Sequence, residues 1–245
     1  MFAVLLLVVI GLVAGIINTI AGGGSFLVLP VLVALGLPAG VANGTSRVGL
    51  VLQNVSSTWT FHRSGVRDYA VVLRLSGPMC VGAILGAYLA TRLSDELLRP
   101  LFGWILLAWA IVLMLRPDRF VRVPTEPMPL NVWAYLAALA IGWYGGFLQA
   151  GVGFPLMALL VTALGYAPVR ANGLKVVLVL AYTMFVLPIF GIAGQIVWPE
   201  AMSLATGNLV GGWLGTKWQL RAGARLVHWF VLVAVVASGS LMAFG

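Results

Sequence analysis

The sequence predicts an all-α, polytopic integral membrane protein built as two inverted-topology repeats of five apolar segments each. Three observations carry this. Of 245 residues, 62% are hydrophobic and 8% are charged, and the mean hydropathy is +1.08. Soluble domains are roughly 45–50% apolar and about 25% charged. The apolar residues gather in long stretches, most of them near the roughly 20 residues that a spanning helix needs. The chain also matches itself without gaps at an offset of 129: 19 of the 72 positions from 21 to 92 are identical to those from 150 to 221. This composition excludes a soluble globule, a disordered chain and a collagen. A lone cysteine, Cys80, excludes a disulfide scaffold.

In chain order the stretches are 2–20, 24–37, 42–61, 69–91, 97–115, 131–149, 153–166, 171–190, 197–216 and 226–244. Residues 1–20 have no basic region ahead of them and have a counterpart in the second half, so they are expected to stay as a membrane segment rather than act as a signal peptide. Stretches 24–37 and 153–166 are short for an upright span and read as broken or re-entrant helices near the midplane, giving eight to ten membrane segments. No stretch alternates at period two, so a β-barrel is not expected. The run RPDRFVRVPTEPMP, with four prolines, reads as an exposed connection. The repeats are therefore 1–115 and 131–245, joined by 116–130.

The 14 basic residues orient the halves, because Lys and Arg gather in cytoplasmic loops. Loop 62–68 carries Arg63 and Arg67, whereas its counterpart 191–200 carries Glu200 and no cation. Placing 62–68, the connection, the turn at Arg170 and 217–225 in the cytoplasm puts nine cations inside. The two halves then insert oppositely, and both termini lie outside the cytoplasm. The net charge of +8 thus reports topology, and no nucleic-acid partner is expected.

Two motifs recur at the repeat offset and carry candidate chemistry. Asn18 and Gly22-Gly23-Gly24-Ser25 interrupt an apolar run, and Gln149, Gly151 and Gly153 stand opposite them. Such breaks release the backbone from helical geometry and bring the N–H groups of a new helix to membrane depth, where they suit an anion. The second motif is Asn43-Gly44-Thr45-Ser46-Arg47 followed by Asn54, with Asn43, Arg47 and Asn54 on one helical face. Its counterpart runs from Asn172 to Lys175. Each half so places one cation about a turn into its third segment. No carboxylate lies in a segment core, so an anionic ligand is expected to supply the counter-charge. Gly82-x-x-x-Gly86 and Gly211-x-x-x-Gly215 read as close helix contacts. Thr206 and Asn208 read as interhelical glue or site lining. Neither a metal cluster nor a nucleophile–base set is present in the sequence; no enzyme activity, cofactor or metal is expected.

Gly11 to Ser46, GLVAGIINTIAGGGSFLVLPVLVALGLPAGVANGTS, resembles the opening of the TauE/SafE sulfite exporter family, also called toluene sulfonate uptake permeases. The shared features are the break at Gly22–Gly24, Pro30 in a short segment, and the A-x-x-T-S element from Ala42 to Ser46. Gly151, Gly153 and Ala171 to Lys175 extend the resemblance to nearly the whole chain. Leu174 stands where the family often has small polar residues, so Thr45 has no counterpart in the second half.

The resemblance implies a multi-pass protein of the bacterial cytoplasmic (inner) membrane that moves sulfite, a sulfonate or a related oxyanion. The reading is an alternating-access secondary transporter, with a small anion and the lipid bilayer as partners and a homodimer as an open assembly. An anion channel with the same cationic lining and an uptake permease for an organic sulfonate remain alternatives. An inside-negative potential drives anions outward by about 2.3 kcal/mol per charge per 100 mV. With no intramembrane carboxylate to relay protons, export is favoured over uptake.

Overall fold

The computed structural model describes residues 2–115 and 127–222, and its regular structure there is all helical. The tenth stretch, 226–244, most of the connection with Arg116, Arg119 and Arg122, and Arg225 and His228 lie outside the described residues. The first half holds α1 (Phe2–Ala21), α2 (Ser25–Ala34), α3 (Ala39–Arg63), α4 (Tyr69–Arg92) and α5 (Asp95–Leu115). The second holds α6 (Val132–Phe147), α7 (Gly153–Met157) running into a π-helical stretch (Ala158–Ala163), α8 (Pro168–Ile192) and α9 (Trp198–Ala222).

Ala3–Ala21, Tyr69–Arg92 and Pro168–Ile192 are each long and apolar enough to cross a membrane. With 25 residues, α3 has the length but not the uniform apolarity. Its polar side chains Asn43, Thr45, Arg47, Gln53, Asn54 and Ser57 are all buried in protein, where a polar helix is tolerated at membrane depth. Apolar stretch 24–37 yields a helix of only 10 residues, about 15 Å, half the hydrocarbon thickness. The chain then turns at Gly36, whose φ of +94° lies in the left-handed region.

The repeat offset reappears in the backbone. α3 and α8 share their boundaries at a spacing of 129, and α4 and α9 share their starts. The glycines with positive φ form three pairs at that spacing: Gly22 with Gly151, Gly36 with Gly165, and Gly65 with Gly194. The packing is reciprocal as well. α1 runs parallel to α9, with Gly11 on Leu204 and Gly15 on Gly211; α6 runs parallel to α4, with Gly142 on Met79 and Gly146 on Ala83. α3 and α8 run antiparallel: Phe61 lies by Gly173, and Phe190 by Gly44.

Glycine makes these parallel contacts possible. A Cβ on Gly82 would strike the Leu139 carbonyl, and one on Gly211 the Leu12 carbonyl. Without a hydrophobic drive between helices in lipid, close backbone approach is a main source of attraction. Gly82→Val and Gly211→Val are therefore expected to lower the thermal midpoint in detergent by several degrees, for a cost of about 1–3 kcal/mol each. Gly77, with nothing near its Cβ position, is the control: Gly77→Ala should leave the midpoint unchanged or raise it.

Candidate functional site

Two helix breaks meet at the centre. After α1 the chain leaves helical geometry at Gly22, with φ of +83°, and after α6 it does so around Gly151, with φ of +81°. Only glycine takes this conformation at little cost. The breaks touch: a Cβ on Gly22 would come within 2.7 Å of the Gly153 Cα. Gly24 packs back against Ala14 and Asn18, so α2 doubles back along α1. Gly23 lies in the break and its carbonyl accepts from the Phe26 amide at 3.1 Å.

A broken helix leaves carbonyls without helical donors. In lipid, such groups must find partners inside the protein. They find them across the repeat. Arg47 on α3 donates to the carbonyls of Gly145 (3.0 Å) and Gly146 (2.6 Å) at the end of α6. It also reaches Gln149 Oε1 (3.3 Å) and Asn43 Oδ1 (3.3 Å), and lies 4.5 Å over the Phe190 ring. Lys175 on α8 donates to the carbonyls of Asn18 (3.1 Å) and Thr19 (3.2 Å) at the end of α1. Asn43 donates to the Phe147 carbonyl (2.8 Å), and Asn172 to the Ile20 carbonyl (3.0 Å). Each cation also sits at the negative end of a helix dipole. Arg47 is fully buried and Lys175 nearly so. Sequence reasoning found the depth of both cations but not these partners, because carbonyls leave no trace in composition.

The other expected residues divide into groups. Asn18, Gly24, Ser25 and Ser46 line a cavity together with Gln53 and Asn208. The cavity holds about 10 Å³, near the space of a single water. Asn18 Nδ2 donates to Gln53 Oε1 (2.9 Å), and Gln53 Nε2 to Thr19 Oγ1 (3.3 Å), which fixes the two amides. Asn43, Arg47, Gln149, Asn172 and Lys175 form the capping layer around the breaks instead, and Gly151 packs on Phe26. Thr45 Oγ1 accepts from the Val197 amide (3.1 Å), and Asn54 bonds its own helix at Leu50 (2.9 Å). A larger open groove of about 530 Å³, between Trp59, His62, Tyr69 and Leu180, has mainly apolar walls.

Two loops close over the third helices. Loop 64–68 lies on the start of α8, where Val66 contacts Gly173 and Asp68 pairs with Arg170 at 3.3 Å. Loop 193–197 lies on the start of α3, where Gln195 meets Gly40 and Gly44 and Val197 bonds Thr45. Both closures are in place at once, on either side of the cavity.

Residues 7–242 match the family model described as Sulfite exporter TauE/SafE. The chain belongs to the TauE/SafE family. Among its relatives, "Probable membrane transporter protein ORF9" of Sinorhizobium sp is 24% identical over 94% of this chain and 88% of that protein. "Probable membrane transporter protein YfcA" of Escherichia coli strain K12 is 25% identical over 95% and 87%. A "Probable membrane transporter protein" of Xylella fastidiosa is 29% identical over 87% and 84%. No solved structure matches. The TauE/SafE chain is thus a multi-pass membrane protein and a membrane transporter, and its relatives' names describe transport rather than catalysis.

The capping role of the cations has a measurable consequence. Arg47→Met leaves the Gly145 and Gly146 carbonyls without their donor and should cost about 1–3 kcal/mol, read as a lower unfolding midpoint in detergent. Arg47→Lys should restore only part, because an ammonium lacks the planar fork that reaches Gln149 and Asn43 as well as the two carbonyls. Equal midpoints for wild type and Arg47→Met would refute the capping role.

Proposed function

We propose that this protein is an alternating-access secondary transporter of a sulfur-containing anion, sulfite or a sulfonate, in the bacterial inner membrane, with export its favoured direction. The observation that carries this reading is the pair of touching helix breaks beside a small cavity lined by Asn18, Ser25, Ser46, Gln53 and Asn208, in a chain of the TauE/SafE family. Gly24 and Ser25, which open α2, line that cavity, and the first N–H groups of a helix lack helical acceptors and favour an anion. Asn18, Ser25 and Ser46 add neutral polar groups suited to a compact oxyanion. Arg47 and Lys175 do not line the cavity; in this reading they act on it through the low-dielectric interior, where no carboxylate cancels them.

Two inverted repeats, 1–115 and 131–245, give the moving parts. The antiparallel course of α3 and α8 and the exchanged pairs α1–α9 and α4–α6 are what a twofold axis in the membrane plane would produce. Loops 64–68 and 193–197 are then the closures on opposite faces, and opening one at a time gives alternating access. Among the described residues no carboxylate lines the cavity to relay a proton, and the membrane potential alone suffices for outward anion movement.

Two experiments test this. In proteoliposomes, radiolabelled sulfite should show saturable counterflow driven by unlabelled sulfite or methanesulfonate; single-channel currents without counterflow would establish a channel instead. For topology, Ser64→Cys and Ala193→Cys, made in a Cys80→Ser background, mark equivalent loops. An impermeant thiol reagent should label position 193 in intact cells and position 64 only after permeabilisation. Labelling of both from the same side would reject the inverted arrangement.

A further inference from the structure

We propose that substrate is held on one side of the pseudo-twofold only, in the cavity beside the first break, and that Gln53 and Asn208 set its specificity. This rests on the transporter reading above but adds residues and an asymmetry that the repeat does not require. An inverted repeat offers two equivalent places, one beside each break. The positions 129 apart differ in the same sense at every key point. Asn18 faces its counterpart Phe147, Ser25 faces Phe154, Gln53 faces Tyr182, and Asn208 on α9 faces Met79 on α4. All four counterparts, three in the second half and Met79 in the first, are buried in the hydrophobic core.

Room for the amide of Asn208 comes from a further difference. A Cβ on Gly49 would lie 2.6 Å from Asn208 Nδ2, so glycine is what admits that side chain. The counterpart of Gly49 is Leu178, which is buried. On the first side, Gly24 and Gly49 leave a gap walled by amides and hydroxyls together with Ala14, Val28 and Leu50; on the second, Phe147, Phe154, Leu178 and Tyr182 are buried in the core. Lys175, the counterpart of Ser46, is spent on the Asn18 and Thr19 carbonyls.

Gln53 and Asn208 approach the cavity from α3 and α9, one helix from each half. Both side chains are anchored, Gln53 to Thr19 and Asn208 Nδ2 to the Leu204 carbonyl at 3.0 Å. Each amide nitrogen keeps a second hydrogen beyond the anchoring bond. Anchored donors of fixed direction discriminate more sharply than mobile ones, since a ligand lacking the matching acceptor leaves them unpaired.

The test uses single cysteines in a Cys80→Ser background, reacted in open membranes with the anionic reagent 2-sulfonatoethyl methanethiosulfonate. Ser25→Cys and Asn208→Cys should react at least about tenfold faster than their counterparts Phe154→Cys and Met79→Cys. Comparable rates within pairs would overturn the asymmetry. If Phe154→Cys fails to fold, the milder Asn208 and Met79 pair decides alone. Sulfite or methanesulfonate should protect position 208; fast labelling without protection would uphold the one-sided cavity while sinking the sulfur-anion reading. In transport, Asn208→Leu and Gln53→Leu should raise KM about tenfold, the loss of roughly one hydrogen bond, with kcat less affected. Met79→Leu should leave KM unchanged. An unchanged KM in both amide variants, with the Met79 variant equal to them, would refute the specificity role.

Discussion

Inside a bilayer, a helix that stops midway exposes carbonyl groups to a medium that cannot hydrogen-bond them. This chain stops two helices that way, α1 and α6, and the rest of the architecture follows from satisfying their ends. The donors come from the third helix of the opposite half: Arg47 and Asn43 serve α6, and Lys175 and Asn172 serve α1. Neither half can complete its own break. The covalent connection through 116–130 is therefore supplemented by a reciprocal lock at the centre. A buried cation is costly without partners, and a buried carbonyl is costly without a donor, so each of these two liabilities offsets the other.

That lock constrains how the halves can move. The breaks, the caps and the Gly22–Gly153 contact lie together at the centre, while the closures formed by loops 64–68 and 193–197 lie at its periphery. Rearrangement at the periphery leaves the central hydrogen bonds intact; rearrangement at the centre would strand charge and carbonyls alike. The closures themselves are weak. The Asp68–Arg170 pair is partly exposed, and such pairs contribute little to stability. The Val197–Thr45 bond is a single neutral contact. A strong centre with weak rims suits the rocking motion proposed here.

Much of this was legible in the sequence because it is written in residues with few substitutes. Glycine is nearly obligatory at positive φ, so the pairs Gly22 with Gly151, Gly36 with Gly165 and Gly65 with Gly194 preserve the repeat where apolar positions have drifted. The cations at related depths were equally visible. Their chemistry was not: a sequence without carboxylates in its segment cores suggests a missing anion, whereas the nearest counter-dipoles are carbonyls of the partner half. Stretch 24–37 reads as a short or broken helix from its length alone, and the helix there runs ten residues, ahead of the turn at Gly36. Gln53 and Asn208 escaped the repeat argument for a different reason. Their counterparts are Tyr182 and Met79, so identity at the offset, the signal that found the motifs, is absent at the positions that wall the cavity.

Agreement and disagreement between the halves therefore report different things. Where the two sequences agree, at the breaks and the glycines, the geometry needs the same residue twice. The amide caps Asn43 and Asn172 are shared in residue, whereas the cationic caps are shared only in role, since Arg47 stands opposite Val176 and Lys175 opposite Ser46. For the cations only the electrostatics is duplicated, each from a neighbouring position in the third helix. Where the halves disagree in polarity, at 18, 25 and 208, or in volume, at 49 and 53, no packing rule asks for the difference. Filling both places with apolar residues would give a drier and better packed centre, at no cost in buried polar groups. Keeping polar groups around a water-sized gap forgoes that packing, and in the proposed transporter it marks where a substrate's place opens when the halves move.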